Sequence, residues 1–191
     1  VSMIPENQIG DYTKALLEFK RISVREDAGA SIIKKLCNRE AQVVLDPTLL
    51  LDKCQWECIQ KKVLNIQTDS PYILTYFLGK MPENARNYIE KAFSIKGKMK
   101  IYNLAKQNEK DLYALGPSEF IYMISHAKLI LTDSFHASVF SFIFEKPFVV
   151  FDRQDDTADM MSRIENLLKT FSIERKYAYS GMENDLFESD Y

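Results

Sequence analysis

Apolar residues follow two rhythms along this chain. Unbroken runs at 72–78, 129–131 and 147–151 contain β-branched and aromatic residues and read as buried strands. Between them, apolar positions recur three and four apart, as in Ile32, Ile33 and Leu36 or Phe120, Ile121, Met123 and Ile124, the stripe of an amphipathic helix. The pattern predicts strands at 1–4, 21–24, 41–45, 72–78, 100–104, 129–131 and 147–151. It predicts a short helix after Asp11 and further helices at 27–36, 55–64, 83–93, 119–126, 137–144 and 158–171.

Strands alternating with helices, with strand runs apolar enough to be covered on both sides, predict an α/β chain. Its parallel, Rossmann-like sheet carries helices on both faces. The turn Asp46-Pro47-Thr48 marks a change of direction, because proline pushes its predecessor out of the helical region. The tail 175–191 is polar and aromatic without a clear period. In a sheet of this kind ligands collect beyond the carboxyl ends of strands, beside helix N-termini.

Composition narrows the classes. Hydrophobic residues make up 46% and charged residues 27% of 191, ordinary globular usage. With 25 basic and 27 acidic residues spread along the chain, there is no footprint for nucleic acid. Twelve Phe and ten Tyr serve a core, or stack against sugar rings, and composition does not separate these uses. Cys54 and Cys58 lack nearby histidines, so no metal is expected, and an odd cysteine count argues against a disulfide scaffold. No stretch reaches the roughly 18 apolar residues of a membrane span, and the expectation is a cytoplasmic protein.

Candidate chemistry concentrates where the run at 129–131 meets the next helix, at Thr132-Asp133-Ser134-Phe135-His136. Thr132 or Ser134 can cap that helix, and its first amides favour a carboxylate or phosphate. His136 there either faces a bound anion or is simply a satisfied hydrogen-bonding residue. His126 closes the preceding helix, where favourable interaction with the helix dipole accounts for it. Arg25 follows the strand at 21–24, and its guanidinium suits a planar carboxylate. Glu26 and Asp133 are candidate bases, each with a bland alternative as a helix-terminal or capping acid. The chain has no G-x-G-x-x-G, Walker, H-E-x-x-H or G-x-S-x-G motif.

Three blocks carry a resemblance: Ile22-Ser23-Val24-Arg25-Glu26, Asp46-Pro47-Thr48-Leu49-Leu50-Leu51, and Ala127 through Phe148, which reads AKLILTDSFHASVFSFIFEKPF. In order and spacing they resemble the polysaccharide pyruvyl transferase family over roughly residues 20–152. The resemblance implies a two-lobed, GT-B-like transferase, with residues 1–50 as the remainder of an N-terminal lobe and linker. It makes 51–175 the C-terminal lobe and 176–191 a truncated return segment. The chain alone is then expected to be inactive without the rest of its first lobe.

The implied activity is transfer of a pyruvyl group from phosphoenolpyruvate to sugar hydroxyls in bacterial exopolysaccharide synthesis, closing a ketal. No cofactor is expected. The resemblance makes Arg25 and His136 the active-site residues; on that reading Arg25 holds the donor carboxylate and the first-turn amides, helped by Ser134, receive its phosphate, with Thr132 and Phe135 as further substrate-binding residues. His136 acts as general acid or as the donor that stabilises the developing charge, with Glu26 or Asp133 as candidate base. The acceptor is a glycan or lipid-linked glycan, which would bring the protein to the inner membrane face. A nucleotide-sugar glycosyltransferase and a catalytically silent interaction domain are the competing expectations.

Overall fold

The computed structural model describes residues 4–96, 99–105, 110–151, 153, 167, 171 and 177–178. Two parallel sheets flanked by helices form the described chain, a Rossmann-like α/β arrangement.

The smaller sheet comes first. A 3-10 turn, Glu6–Gln8, leads into α1 (Ile9–Glu18), and β1 (Ser23–Val24) connects through α2 (Asp27–Cys37) to β2 (Gln42–Val43). Ser23 pairs with Gln42 and Val24 with Val43, in parallel. Asn38 ends α2 at φ 52, a left-handed position asparagine tolerates, and its amide donates to the Lys34 carbonyl. Gly29 lies under β1, where an added Cβ would meet the Val24 Cβ at 3.3 Å. A second 3-10 turn, Pro47–Leu50, follows β2 and is capped by the Asp46 side chain.

The larger sheet is built from β3 (Tyr72–Tyr76), β4 (Lys100–Asn103), β5 (Leu129–Thr132), β6 (Phe148–Val150) and β7 (Tyr177–Ala178), all parallel, in spatial order β4-β3-β5-β6-β7. Its helices are α3 (Lys53–Glu57), α4 (Glu83–Lys96), α5 (Lys110–Tyr113), α6 (Pro117–His126) and α7 (Phe135–Ile143).

Strand alternation explains why β3, β5 and β6 are apolar at nearly every position. Ile73, Leu129, Leu131 and Val149 point to one face and pack with Ala85 and Ile89 of α4. Tyr72, Leu74, Ile130, Phe148 and Val150 point to the other, against Ile121 and Ile124 of α6 and Val139 and Phe140 of α7. Each fully buried side chain of this size contributes roughly 1.5–3 kcal/mol, so both layers are needed. The serines of α7 tolerate burial because Ser138 and Ser141 donate to the carbonyls of Ser134 and Ala137, at 3.0 and 2.7 Å.

The strand order reverses between β3 and β5, since the chain runs outward to β4 and then crosses back over β3. Crossovers leaving in opposite directions open a crevice at that point, on the carboxyl edge of the sheet. Both β5 and the start of α7 border it.

Several elements differ from the pattern reading. The helix expected at 55–64 is Lys53–Glu57, begun early by a reciprocal capping box between Asp52 and Gln55, and Leu64 beyond it is 91% exposed. Gly116, not Ser118, caps α6, with Pro117 at its first position. The short α5 has no counterpart in the sequence reading. The expected tail begins within the sheet, since Tyr177 pairs with Phe148 and Ala178 with Val149. Val1–Met3 and most of the expected helix at 158–171 lie outside the described residues. Among the described residues no helix is long and apolar enough to cross a membrane.

Candidate active site

β5 delivers Thr132, Asp133 and Ser134 to the corner, and the structure turns all three inward. The Thr132 hydroxyl donates to the Tyr76 carbonyl at 2.6 Å and accepts the Ser134 amide at 3.0 Å. Ser134 is the N-cap of α7, its Oγ 3.5 Å from the Ala137 amide. Phe135 buries its ring in the core. The side chains of Thr132, Ser134 and Phe135 are buried in the corner and hold its shape. What the corner offers a ligand is backbone: the amides of Phe135 and His136 lie in the first turn, where no intrahelical acceptor exists.

Asp133 is the corner's brace. Its carboxylate is 2% exposed and accepts the Leu78 amide at 2.8 Å and the Gly79 amide at 3.0 Å, on the loop after β3. The Arg153 Nε lies 3.5 Å from the same group, and Arg153 Nη2 donates to the Asp133 carbonyl at 3.4 Å. The enclosed carboxylate ties β3, β5 and the end of β6 together. Tyr76, whose carbonyl takes the Thr132 bond, has its hydroxyl pKa raised by burial first and the Asp133 charge second, partly offset by Arg153.

His136 alone in this corner points outward, with its side chain 51% exposed. Its ring meets Phe135 edge-on, and its Nε2 is 3.9 Å from Asp46 Oδ2. The same Oδ2 is 2.5 Å from Arg25 Nη1. Asp46 Oδ1 accepts both the Thr48 amide at 3.0 Å and the Thr48 hydroxyl at 2.7 Å. One carboxylate, 3% exposed, thus gathers Arg25 from the end of β1 and His136 from the start of α7.

Burial opposes ionisation of Asp46 and is the largest single influence. The two Thr48 hydrogen bonds and the bond and charge of Arg25 outweigh it together, holding its pKa below the ordinary aspartate value. Asp46 was legible in the sequence as a turn former, not as a site residue. The signal available was a carboxylate just after a strand, one strand-helix-strand crossover and 21 residues beyond an Arg that also follows a strand.

Glu26 sits at the N-cap of α2 and is 7% exposed, without a side-chain bond to the α2 amides. His126 stacks on Tyr122 and contacts the Tyr122 carbonyl through Nδ1 at 3.0 Å, away from the corner. Among the described residues no cluster of His, Cys, Asp and Glu could hold a metal ion.

Comparison with known proteins returns one description. The model of a family described as polysaccharide pyruvyl transferase matches residues 3–155. No curated protein and no solved structure matches the chain.

Proposed function

The chain belongs to the polysaccharide pyruvyl transferase family, enzymes that transfer a pyruvyl group to a polysaccharide acceptor, and from that premise we propose that its donor is phosphoenolpyruvate, held between Arg25 and the α7 corner. The carrying observation is the convergence of Arg25 and His136 on Asp46. A cation able to grip a carboxylate and an acid able to move a proton stand within one small molecule's reach.

Asp46 takes one Nη1 donor of Arg25, and the guanidinium has further donors on a side chain that is 41% exposed. Those donors take the donor carboxylate. The amides of Phe135 and His136 take the phosphate, where the helix terminus favours negative charge. In this reading His136, as imidazolium, gives a proton to the methylene carbon, and the adjacent carbon becomes electrophilic. A sugar hydroxyl attacks that carbon while its proton passes to the now neutral His136. The C–O bond to phosphate then breaks as a second hydroxyl closes the ketal, whose proton leaves with the phosphate. One histidine serving in both directions requires no separate base, consistent with the burial of Glu26 and Asp133.

We place the protein in the cytoplasm, with a lipid-linked glycan at the inner membrane face as the acceptor form. The test is phosphate release from phosphoenolpyruvate by the complete two-lobed protein, with and without glycan acceptor. Acceptor-dependent release is expected. Consumption of a nucleotide sugar in its place would overturn the donor assignment.

A further inference from the structure

Asp46 is held from below by its own turn. It caps the 3-10 turn Pro47–Leu50, where the proline ring fixes one backbone angle, and its Oδ1 accepts two bonds from Thr48, from the amide at 3.0 Å and the hydroxyl at 2.7 Å. The turn is anchored in its own right. The Thr48 carbonyl accepts Trp56 Nε1 at 3.0 Å, and the Trp56 ring meets Phe140 of α7 edge-on, with 4.9 Å between ring centroids. Trp56 thereby ties the turn that carries Asp46 to the helix that carries His136.

Arg25 has less to hold it. It follows a strand of two residues, its side chain is 41% exposed, and a guanidinium on so long a stem has many rotamers open to it. The bond from its Nη1 to Asp46 Oδ2, at 2.5 Å, selects among them. A guanidinium has five N–H donors, and a carboxylate bound at Nη1 leaves the edge formed by Nε and Nη2 whole. Two parallel donors on that edge match a second planar carboxylate.

We propose that Asp46 is a positioning residue for pyruvyl transfer, turning the Nε–Nη2 edge of Arg25 towards the donor carboxylate and setting how far Arg25 stands from His136. It rests on the reading of Arg25 as the clamp on the donor's carboxylate. One atom sets the spacing. Asp46 Oδ2 lies 2.5 Å from Arg25 Nη1 and 3.9 Å from His136 Nε2, so the separation of those two nitrogens is bounded by the two distances. No bond is made or broken at Asp46 itself. Burial is the largest influence on its ionisation and opposes it, but the Thr48 bonds and Arg25 together hold its pKa below the ordinary value, so it remains an acceptor for Arg25 at neutral pH. A guanidinium already oriented in the empty site loses less freedom when the donor arrives, and the benefit appears as donor affinity.

Calorimetry with phosphoenolpyruvate on the complete protein, arranged as a double-mutant cycle, tests this. Asp46→Asn with its amide oxygen kept by Thr48 points an N–H at Arg25 and releases the guanidinium, so donor affinity should fall about tenfold. Arg25→Lys removes the planar edge itself, and adding Asp46→Asn to it should cost no more than about a further twofold. A merely structural role moves other quantities: partial unfolding lowers the bound stoichiometry, leaves the affinity of the folded fraction alone, and does so with either side chain at position 25. Additive losses in the double variant, or unchanged affinity in Asp46→Asn, would overturn the proposal. Should Asp46→Asn fail to fold, Thr48→Val decides, since it removes one bond that orients the carboxylate and keeps the charge. Its donor affinity should fall about threefold beside Arg25 and stay level in the Arg25→Lys background, and an equal change in both backgrounds would overturn the proposal. A wild type that does not bind phosphoenolpyruvate sinks the donor reading and this proposal with it, whereas wild-type binding with additive losses sinks the proposal alone.

Discussion

Asp46 holds its Oδ2 2.5 Å from the Nη1 of Arg25, a pair in which the carboxylate is 3% exposed and the guanidinium 41%. Because the pKa of Asp46 is lowered on folding, the pair stabilises the protein above the unfolded value near 3.8 and loses that contribution as pH falls through the folded one. Asp46→Asn removes the charge while its amide oxygen can still accept from Thr48. A loss of about 1 kcal/mol is expected near neutral pH. That deficit should begin to shrink as pH falls below the ordinary aspartate value and approach zero below the lowered folded one, where the wild type is protonated too. Urea unfolding at several pH values measures it, and a deficit that grows with acid would contradict the assignment.

Arg25 and His136 should separate in kinetics. Arg25→Lys keeps a cation but loses the planar fork, so donor affinity should fall about tenfold or more. His136→Gln keeps a polar side chain but cannot carry a proton to carbon, so turnover should fall at least about a hundredfold with donor binding retained. Phosphoenolpyruvate calorimetry beside acceptor-dependent phosphate release distinguishes the two. Normal turnover and affinity in both variants would refute the site.

The α/β alternation was readable because strands buried on both faces are almost continuously apolar, as 129–131 and Phe148–Val150 are. The corner at His136 was readable for the same reason: an apolar run, three polar residues and a helical period mark a strand-to-helix turn. Asp46 was not readable as a site residue, since its importance comes from β2 ending beside the start of α7, a relation between distant segments that no local pattern records. The directions of Asp133 and Thr132 were hidden likewise. Their partners, Leu78, Gly79 and Tyr76, belong to a neighbouring strand, and only sheet order brings that strand alongside.

Asp133→Asn tests the brace. An amide can accept from one of the Leu78 and Gly79 amides but turns an N–H towards the other, and it gives up the Arg153 charge. The expected cost is roughly 2–4 kcal/mol in unfolding free energy. A general base would behave differently, losing turnover while stability stayed put. Full stability with abolished turnover in this variant would restore Asp133 to the chemistry.

Thr132 gives the most direct test of how the sheet positions the proton donor. It is completely buried, with one hydroxyl that both donates to the Tyr76 carbonyl and accepts the Ser134 amide. Thr132→Val keeps the shape and removes both bonds, leaving a carbonyl and an amide without these partners at the edge of the crevice. Each net hydrogen bond is worth about 0.5–1.5 kcal/mol and an orphaned buried group about 1–3 kcal/mol, so a loss of roughly 2–4 kcal/mol is expected. Thr132→Ser keeps the hydroxyl and removes a buried methyl, for a smaller loss of about 1 kcal/mol. The functional split matters more than the totals. If the hydroxyl sets the entry of α7, the valine variant should lower turnover at temperatures where it remains folded, because the amides of Phe135 and His136 shift with the cap. The serine variant should retain near-normal turnover despite its own loss of stability. Urea unfolding together with acceptor-dependent phosphate release on both variants reads the two effects apart. Equal turnover in the valine and serine variants would show that the bond stabilises the sheet without positioning His136.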